Sequence, residues 1–362
     1  MKSIFCTVTN DLVYDQRMNR ICASLVAAGY DVTLVGRERP FSKPLSEKVF
    51  KQARLKCWFD KGKLFYAEYN IRLFLFLMGK KIDIICGIDL DTILPAHFIS
   101  RMKGIPMVYD AHEYFTEMEE IVRRPLVHKA WKWIERFTVP KVKYGYTVSN
   151  GYAGLFREKY GVEFEIVRNA TVLKELPERT ATEPYILYQG AVNEGRGLEE
   201  TIQAMQHIDC QLYICGLGDV YEKLQQLVQE LGLTEKVIFH GYVEPDKLKS
   251  FTINATIGLT IFTNKGLSNQ YSLANRFFDY FHGGVPQIAM EYPEYVDFCK
   301  KYEVAELIPA VEVEHIVAAA RKLLEDKQRY QVLAANCLEA RKFNNWQEEA
   351  KKLQRLYAQI PD

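Results

Sequence analysis

Residues 271–286, YSLANRFFDYFHGGVP, place one carboxylate, Asp279, inside an apolar run. The run opens at a Ser-Leu-Ala-Asn turn and stops at Gly283-Gly284 and Pro286, a glycine and proline stop for a helix. A turn entering a helix offers backbone N–H groups that suit a phosphate. An acid one to two turns further on accepts hydrogen bonds from hydroxyls. The alternative is a helix that merely carries an acid on its exposed face. A second candidate is the loop 189–197, QGAVNEGRG, with three glycines and one cation, Arg196. Glycines let a backbone approach closely and arginine pairs with phosphate oxygens, although an ordinary strand-to-helix loop has the same look. Gly216-Leu217-Gly218 adds a weaker glycine pair ahead of another helix. Asp110-Ala111-His112-Glu113 puts a histidine beside two acids at a strand end, as a proton shuttle, a phosphate hydrogen-bond donor or a loop-ordering residue. Asp89-Leu90-Asp91 has the composition of a divalent-cation pair, but the helix that follows makes Asp91 the expected N-cap. The chain has no serine-nucleophile elbow, no P-loop and no His-Glu-x-x-His helix.

These residues need elements to hold them. At 362 residues, 48% hydrophobic and 26% charged, the chain is globular and long enough for two domains. A strand at 3–9, a polar loop, a helix at 18–28 and a strand at 31–36 form a β-loop-α-β unit, which predicts a parallel sheet. The Gly-x-Gly-x-x-Gly fingerprint of an ordinary NAD-binding domain is missing from it. Helices are expected at 65–77, 92–102 and 126–138, and strands at 82–86, 106–109 and 144–149. Polar residues follow the strands: Asn10, Asp89 and Asp91, His112 and Glu113, Ser149. In open α/β sheets ligands bind at that edge. The polar stretch 170–183 breaks the pattern and reads as a linker. A second series follows, with strands at 185–188, 211–215, 237–239, 257–261 and 285–290. Its helices lie at 198–205, 220–231, 246–251, 277–281, 313–325, 329–340 and 346–359. The expected organisation is a first α/β domain over 1–169, a linker over 170–183, a second α/β domain over 184–345 and a closing helix over 346–362. Two consecutive domains would face each other across a cleft.

Charge is uneven. Residues 1–175 hold 28 Lys and Arg against 20 Asp and Glu, a balance of +8, and the rest holds 19 against 26, a balance of −7. A basic first half favours a phospholipid surface, a lipid phosphate or a nucleic acid, unless the asymmetry is incidental. Arg123, Arg124, Lys129, Lys132 and Arg136 interleave with Trp131 and Trp133 in a helix that either lies on an anionic membrane or buries its tryptophans in the core. The eight cysteines never form Cys-x-x-Cys and read as reduced, buried thiols of a cytosolic protein. The N-terminal apolar run is too short for a signal peptide, and the stretch 73–78 is too short to cross a bilayer.

The motifs, in this order, resemble glycosyltransferase family four, whose members are retaining, nucleotide-sugar-dependent enzymes with the GT-B fold. The resemblance covers essentially the whole chain. It is carried by TNDLVYDQRMNRICASLVAAGYDVTLV, with Tyr14-Asp15-Gln16-Arg17 as a YDxR element, then CGIDLDTILPA, VYDAHEYF, YTVSNGYAGLFREKYGV, YQGAVNEGRGLEETIQAM, YICGLGDVYEKLQQLVQELGLTEKVIFHGYV, SLANRFFDYFHGGVPQIA and FNNWQEEAKKLQRLY. It implies two Rossmann-like domains and a C-terminal helix crossing back to the first. It implies His112 and Arg196 as catalytic residues, with Arg196 neutralising the donor diphosphate and Asp279 gripping the ribose. Gly190, Gly216, His240, Tyr242, Val243, Leu273, Ala274, Asn275 and Arg276 would complete the donor site; Asn10, Asp15, Arg17 and Glu113 would line the acceptor side. The family's earlier glutamate corresponds to Tyr271 and its other loop cation to Ala191, which shifts diphosphate binding onto Arg196 or Arg276. Asp at 279 replaces a glutamate. The implied reaction moves a sugar from a nucleotide diphosphate to an acceptor hydroxyl with retention, requiring no metal or other cofactor, in surface polysaccharide or lipid-linked glycan synthesis. The implied partners are a nucleotide sugar and a saccharide or lipid-linked acceptor, with no nucleic acid; the basic first half and the Arg/Trp helix add peripheral contact with an anionic membrane. The expected location is cytoplasmic, on the inner face of the membrane. A non-catalytic subunit, or an epimerase or phosphorylase on the same fold, is the alternative. Donor sugar, nucleobase, acceptor, linkage and oligomeric state are not legible.

Overall fold

The computed structural model describes every residue except Tyr14, Thr182, Asn264, Lys265 and Asp362. Tyr14 of the YDxR element therefore lies outside the described residues. The chain divides into two compact units, Met1–Asn169 with Glu349–Asp362, and Ala170–Glu348.

The first unit runs β1 (Ser3–Thr7), α1 (Gln16–Ala27), β2 (Asp31–Glu38), β3 (Lys51–Lys56), α2 (Gly62–Met78), β4 (Ile84–Ile88) and α3 (Asp89–Lys103). It continues with β5 (Met107–Ala111), α4 (Glu119–Val122), α5 (Pro125–Thr138), β6 (Tyr144–Thr147), α6 (Asn150–Tyr160) and β7 (Glu165–Ile166). Its seven strands are parallel in the order β3-β2-β1-β4-β5-β6-β7. Strand order reverses between β1 and β4, and there the loops leaving the two strands diverge to opposite faces. β1, β4 and β5 are almost wholly buried, as strands covered by helices on both faces must be. Gly36 of β2 has no substitute: a Cβ there would lie 2.4 Å from Leu12 Cδ2 and 2.7 Å from the Asn10 carbonyl. Its bareness lets the loop after β1 close over the sheet edge.

The second unit runs β8 (Tyr185–Gln189), α7 (Leu198–Ala204), β9 (Gln211–Cys215), α8 (Tyr221–Glu230), β10 (Val237–Gly241), α9 (Pro245–Asn254) and β11 (Ile257–Thr260). Then come α10 (Leu267–Gln270), α11 (Asn275–His282), β12 (Gln287–Met290), α12 (Pro293–Tyr302), β13 (Ala305–Ile308), α13 (Val313–Glu325), α14 (Lys327–Phe343) and α15 (Trp346–Ala358). The sheet is parallel in the order β10-β9-β8-β11-β12-β13, with its reversal between β8 and β11. α11 packs Phe277, Phe278 and Phe281 around Phe298 of α12 at centroid separations of 5.1–6.4 Å. That aromatic knot fixes the helix that bears Asp279. α15 begins in the second unit and ends in the first. There Tyr357 meets Tyr30 edge-on at 6.1 Å, Gln354 donates to the Ser24 carbonyl and Lys2 to that of Ile360.

Several sequence expectations need correction. β3, α6, α12 and β13 were not foreseen. β3 is an edge strand, KQARLK, half-exposed along its length, so it carries no alternation of apolar and polar residues. α3 begins at Asp89, with Ile88 in the N-cap position, so Asp91 is not the cap. It sits inside the first turn and accepts a hydrogen bond from the Thr9 hydroxyl. The tryptophans of α5 divide: Trp131 is buried against Phe115 and Tyr66, whereas Trp133 is exposed. The stretch 170–183, expected as a linker between domains, falls in the second unit, and its described residues have no regular structure.

Candidate functional sites at the two sheet edges

At the reversal point of the first sheet, a cavity of about 130 Å³ is lined by Thr9, Asn10, Asp15, Arg17, Asp89, Asp91 and His112, with Val8, Met18 and Ile88. Its side chains come from the ends of β1, β4 and β5 and from α1. Asp15 caps α1 by accepting the Met18 N–H at 2.8 Å, and it also accepts from Asn10 at 2.8 Å. Two residues on, the buried Arg17 donates to the fully buried Asp110 of β5 at 2.6 Å. Its Nε and Nη1 have no partner. Asp89 adopts a left-handed conformation at φ 52°, and its carboxylate accepts the Glu113 N–H at 3.0 Å. That bond ties the β4 and β5 loops together. His112 Nδ1 lies 3.9 Å from Asp89 Oδ2, beyond a direct hydrogen bond.

The electrostatics follow from crowding. Burial, then the charges of Glu113, Asp91 and Asp110, hold the Asp89 carboxyl well above the usual carboxylate range. Burial pushes Asp91 up to about 7, against the opposing hydrogen bond from Thr9. Burial, with Arg17 and Arg20 nearby, holds His112 well below the usual imidazole range, so the ring is neutral. It can give and take hydrogen bonds but does not contribute a positive charge. The structure thus gathers Asn10, Asp15, Arg17 and His112 at one cavity, with Glu113 beside it through Asp89. Thr9 was missed, since a threonine at a strand end carries no sequence signal of its own.

The second sheet edge is built differently. The loops after β8, β9 and β10 are laced together through their backbones. Gly190 donates to the Cys215 carbonyl at 3.0 Å, Val192 to Leu217 at 3.1 Å and Gly216 to Gly241 at 2.8 Å. A Cβ on Gly216 would lie 1.8 Å from the Gly190 carbonyl oxygen, and one on Gly218 would lie 2.3 Å from the Val192 carbonyl oxygen. Beneath this lacing lies Arg276. It is only 8% exposed and donates to the carbonyls of Gln189 and Ile261, both at 3.3 Å, joining the ends of β8 and β11. Its guanidinium stacks on Tyr188 at 4.7 Å and on Phe262 at 4.4 Å. Arg196 covers the same Phe262 ring at 5.0 Å and is half-buried. Phe262 thus carries both arginines, a role its sequence neighbourhood did not suggest.

Asp279 is held by two neutral donors. Thr171 donates to Oδ1 at 2.6 Å and Gln189 Nε2 to Oδ2 at 3.0 Å, while Thr252 donates to the side-chain Oε1 of Gln189 at 2.7 Å. A carboxylate oxygen can accept more than one hydrogen bond, so the group is chemically suited to a ligand hydroxyl. Gln189, a polar side chain at the end of a buried strand, was the available signal for this network. Leu273 is buried in the core, and the Ala274 N–H is already given to the Tyr295 hydroxyl at 3.1 Å. Asn275 opens α11 with an exposed side chain. His240 is exposed and rests on Tyr213 and Phe251; Tyr242 is exposed and Val243 is half-buried. Burial, then Lys247, lowers the His240 pKa. Among the described residues no group of three or more His, Cys, Asp or Glu is placed to hold a metal ion, and no helix is long and apolar enough to cross a membrane.

Comparison with known proteins places this architecture. Residues 173–339 match the family model described as glycosyl transferases group 1, and residues 16–173 match that of glycosyltransferase family 4. A curated relative, the alpha-D-kanosaminyltransferase of Streptomyces kanamyceticus, is 24% identical over 217 residues, 52% of this chain and 55% of the relative. An uncharacterized glycosyltransferase of Methanocaldococcus jannaschii is 35% identical over 79 residues, 21% of this chain and 20% of the relative. The chain thus spans about half the length of the first relative and a fifth of the second. Sucrose-phosphate synthase from Thermosynechococcus elongatus superposes with a TM-score of 0.83 at 16% identity, covering 99% of each chain. Anabaena HepE, solved in complex with UDP-glucose, gives 0.78 at 11% identity, covering 99% of this chain and 100% of that one. The chain belongs to the group 1, family 4 glycosyltransferases and has their two-domain GT-B fold.

Proposed function

We propose that the protein is a retaining glycosyltransferase that moves a sugar from a nucleotide diphosphate donor to an acceptor hydroxyl, in surface polysaccharide or lipid-linked glycan synthesis. The observation that carries the reading is the second sheet edge. Glycines crowd three loops together over a buried arginine, and a carboxylate stands one turn inside the adjoining helix. Loops without Cβ atoms let a diphosphate approach the backbone, and Arg196 neutralises its charge. Asp279, held by Thr171 and Gln189, is oriented to accept the ribose hydroxyls. Gly190 and Gly216 shape the floor, and His240, Tyr242 and Val243 border the nucleobase. Arg276 is committed to the carbonyls of Gln189 and Ile261, so its part is to hold the floor together. The N-terminal turn of α11, around Asn275, faces the phosphates with its helix dipole.

As the sugar–phosphate bond breaks, negative charge grows on the departing diphosphate. Arg196 and the oriented backbone dipoles stabilise that charge. The first-unit cavity suits a polyhydroxyl acceptor: Asn10, Asp15, Arg17 and Glu113 offer both acceptors and donors. Neutral His112 hydrogen-bonds a sugar hydroxyl without adding charge. A nucleotide-sugar donor is supported by the fold neighbour HepE, which was solved in complex with UDP-glucose.

The test is nucleotide diphosphate release from a panel of UDP-, GDP- and ADP-sugars, alongside calorimetric binding of the free nucleotides. One nucleotide is expected to bind and turn over. Arg196→Ala should weaken its binding by about 10- to 100-fold, the worth of a charge-assisted hydrogen bond of ~1.5–3 kcal/mol. Asp279→Ala should weaken nucleotide binding but not binding of inorganic diphosphate. Absence of binding and turnover across the panel would falsify the reading. Binding unchanged in Arg196→Ala, with no turnover, would instead indicate a non-catalytic subunit.

A further inference from the structure

The outward faces of α2, α3 and α5 in the first unit have no part in either sheet-edge site. α2 is apolar on two sides. Phe65, Tyr69, Leu73 and Leu77, spaced by four, are buried against the unit. The opposite side repeats the pattern in solvent with Leu64, Ile71, Leu75 and Met78; Ile71 is 60% and Leu75 64% exposed. A surface helix ordinarily presents charge on that side. The apolar band continues onto the neighbouring helices. Lys103 of α3 donates to the Met78 and Lys80 carbonyls at 3.0 and 2.8 Å, which sets the exposed Met102 close to the end of α2. Phe98 of α3 lies 6.3 Å from Phe137 of α5, and Trp133, 61% exposed, stacks on Phe137 at 5.6 Å.

The charges on this face have one sign. The exposed charged residues on the three helices are Lys63, Arg101, Lys129 and Arg136. The carboxylates of the same helices point elsewhere. Glu68 accepts the Trp58 and Phe59 amides, Glu135 is buried with Lys159 and Tyr160, and Asp89 and Asp91 line the cavity. An all-cationic face repels a second copy of itself, which argues against a homodimer. Aliphatic and aromatic side chains flanked by cations match the interfacial zone of an anionic bilayer.

We propose that the α2–α3–α5 face docks on an anionic lipid bilayer, its apolar band entering the interface and its cations meeting the headgroups. α2 also reaches the cavity, because Asn70 donates to the Asp91 carbonyl at 3.0 Å. A docked enzyme would hold that cavity close to an acceptor carried on a lipid; this last step rests on the transferase reading, whereas docking does not.

Co-sedimentation of the full chain with phosphatidylcholine vesicles, with and without phosphatidylglycerol, tests it. The chain should pellet with the anionic vesicles alone and be released by salt. Ile71→Glu with Leu75→Glu should weaken pelleting by at least ~10-fold, since burying two charges in the interface adds to the lost apolar area. Arg101→Glu with Lys129→Glu should have a comparable effect and leaves the helix packing untouched, should the first pair melt early. Val332→Glu, on the second unit, should change nothing. Brominated lipid should quench tryptophan emission less in Trp133→Phe. No pelleting with anionic vesicles, or full pelleting of both glutamate pairs, overturns docking. A dimer in light scattering that dissolves on Ile71→Glu with Leu75→Glu assigns the face to a second copy and overturns it as well. Donor turnover with a soluble acceptor should persist in these variants, so a failure of docking and a failure of the transferase reading are read separately.

Discussion

The two sheet edges share a topology and differ in chemistry. Each lies where the strand order of a parallel sheet reverses, between β1 and β4 in the first unit and between β8 and β11 in the second. The first edge is made of side chains. Asp15, Asp89 and Asp91 line a cavity with Arg17 and a neutral His112. The second edge is made of backbone, with glycine loops in direct contact and one buried arginine holding two strand ends by their carbonyls. Carboxylates accept from hydroxyls and repel phosphate, whereas bare backbone and arginine welcome phosphate. On the proposed function, one topology would thus provide a place for a polyol and a place for a diphosphate. The difference lies in whether the loops leaving the strands project side chains or withdraw them.

The strongest way to break this contrast is to give the second edge a side chain. Gly216→Ala would set a methyl 1.8 Å from a backbone oxygen that is fixed by the lacing, so the loops must separate. Destabilisation on the order of 4 kcal/mol is expected, in the exceptional range for one substitution, with nucleotide binding lost at temperatures where the fold survives. Thermal denaturation and calorimetric titration check it; a variant with ordinary stability and affinity would show that the lacing is dispensable.

The first edge should break through its charges. Arg17→Met leaves Asp110 buried and unpaired, because Asp110 is fully buried and Arg17 is the cation bonded to it. Removing one partner of such a pair costs about 3–5 kcal/mol, and the double variant Arg17→Met with Asp110→Leu should recover much of the loss. Nucleotide affinity, which the proposed function assigns to the second unit, should stay within about twofold, as separated sites usually behave additively. A parallel loss of nucleotide affinity in folded protein would contradict the separation of roles.

How much of this was legible in sequence depends on which kind of edge is read. Alternation of apolar runs gave the central strands and most helices, because buried parallel strands and amphipathic helices imprint their periods on the chain. The interval 211–215 is the observed β9, and 313–325 is the observed α13. The edge strand β3 left no such imprint. Glycines and a lone acid flagged Gly190, Gly216 and Asp279, since their composition is unusual for their setting. Arg276 was legible as a cation but not as a buried one. Its place depends on the Gln189 and Ile261 carbonyls, 87 and 15 residues away. Asp91 was read as a cap by its position before a helix. That helix starts three residues earlier than its apolar pattern indicates, at Asp89, whose left-handed conformation leaves no pattern of its own.

Asp91 also supplies the smallest of the expected effects, and the one that tests the crowding of the first edge most directly. Its carboxyl titrates near 7 in the folded protein, against about 3.9 in an unfolded chain. The folded state therefore holds a proton between about pH 4 and pH 7 that the unfolded state has released. The stability linked to this group is fully present below pH 4 and declines as pH rises through 7, beyond which a half-buried negative charge stands beside Asp89 and Glu113. Asp91→Asn keeps an oxygen for the Thr9 hydroxyl and removes the titration. The variant should match the parent near pH 4 and exceed it at pH 8 by about 2 kcal/mol, less than the full shift implies because the side chain is not wholly shielded from solvent. Melting temperature followed from pH 4 to 9 measures the difference. If the two curves stay parallel throughout, Asp91 is ionised at neutral pH, and the carboxylates of the first edge share their site at no cost.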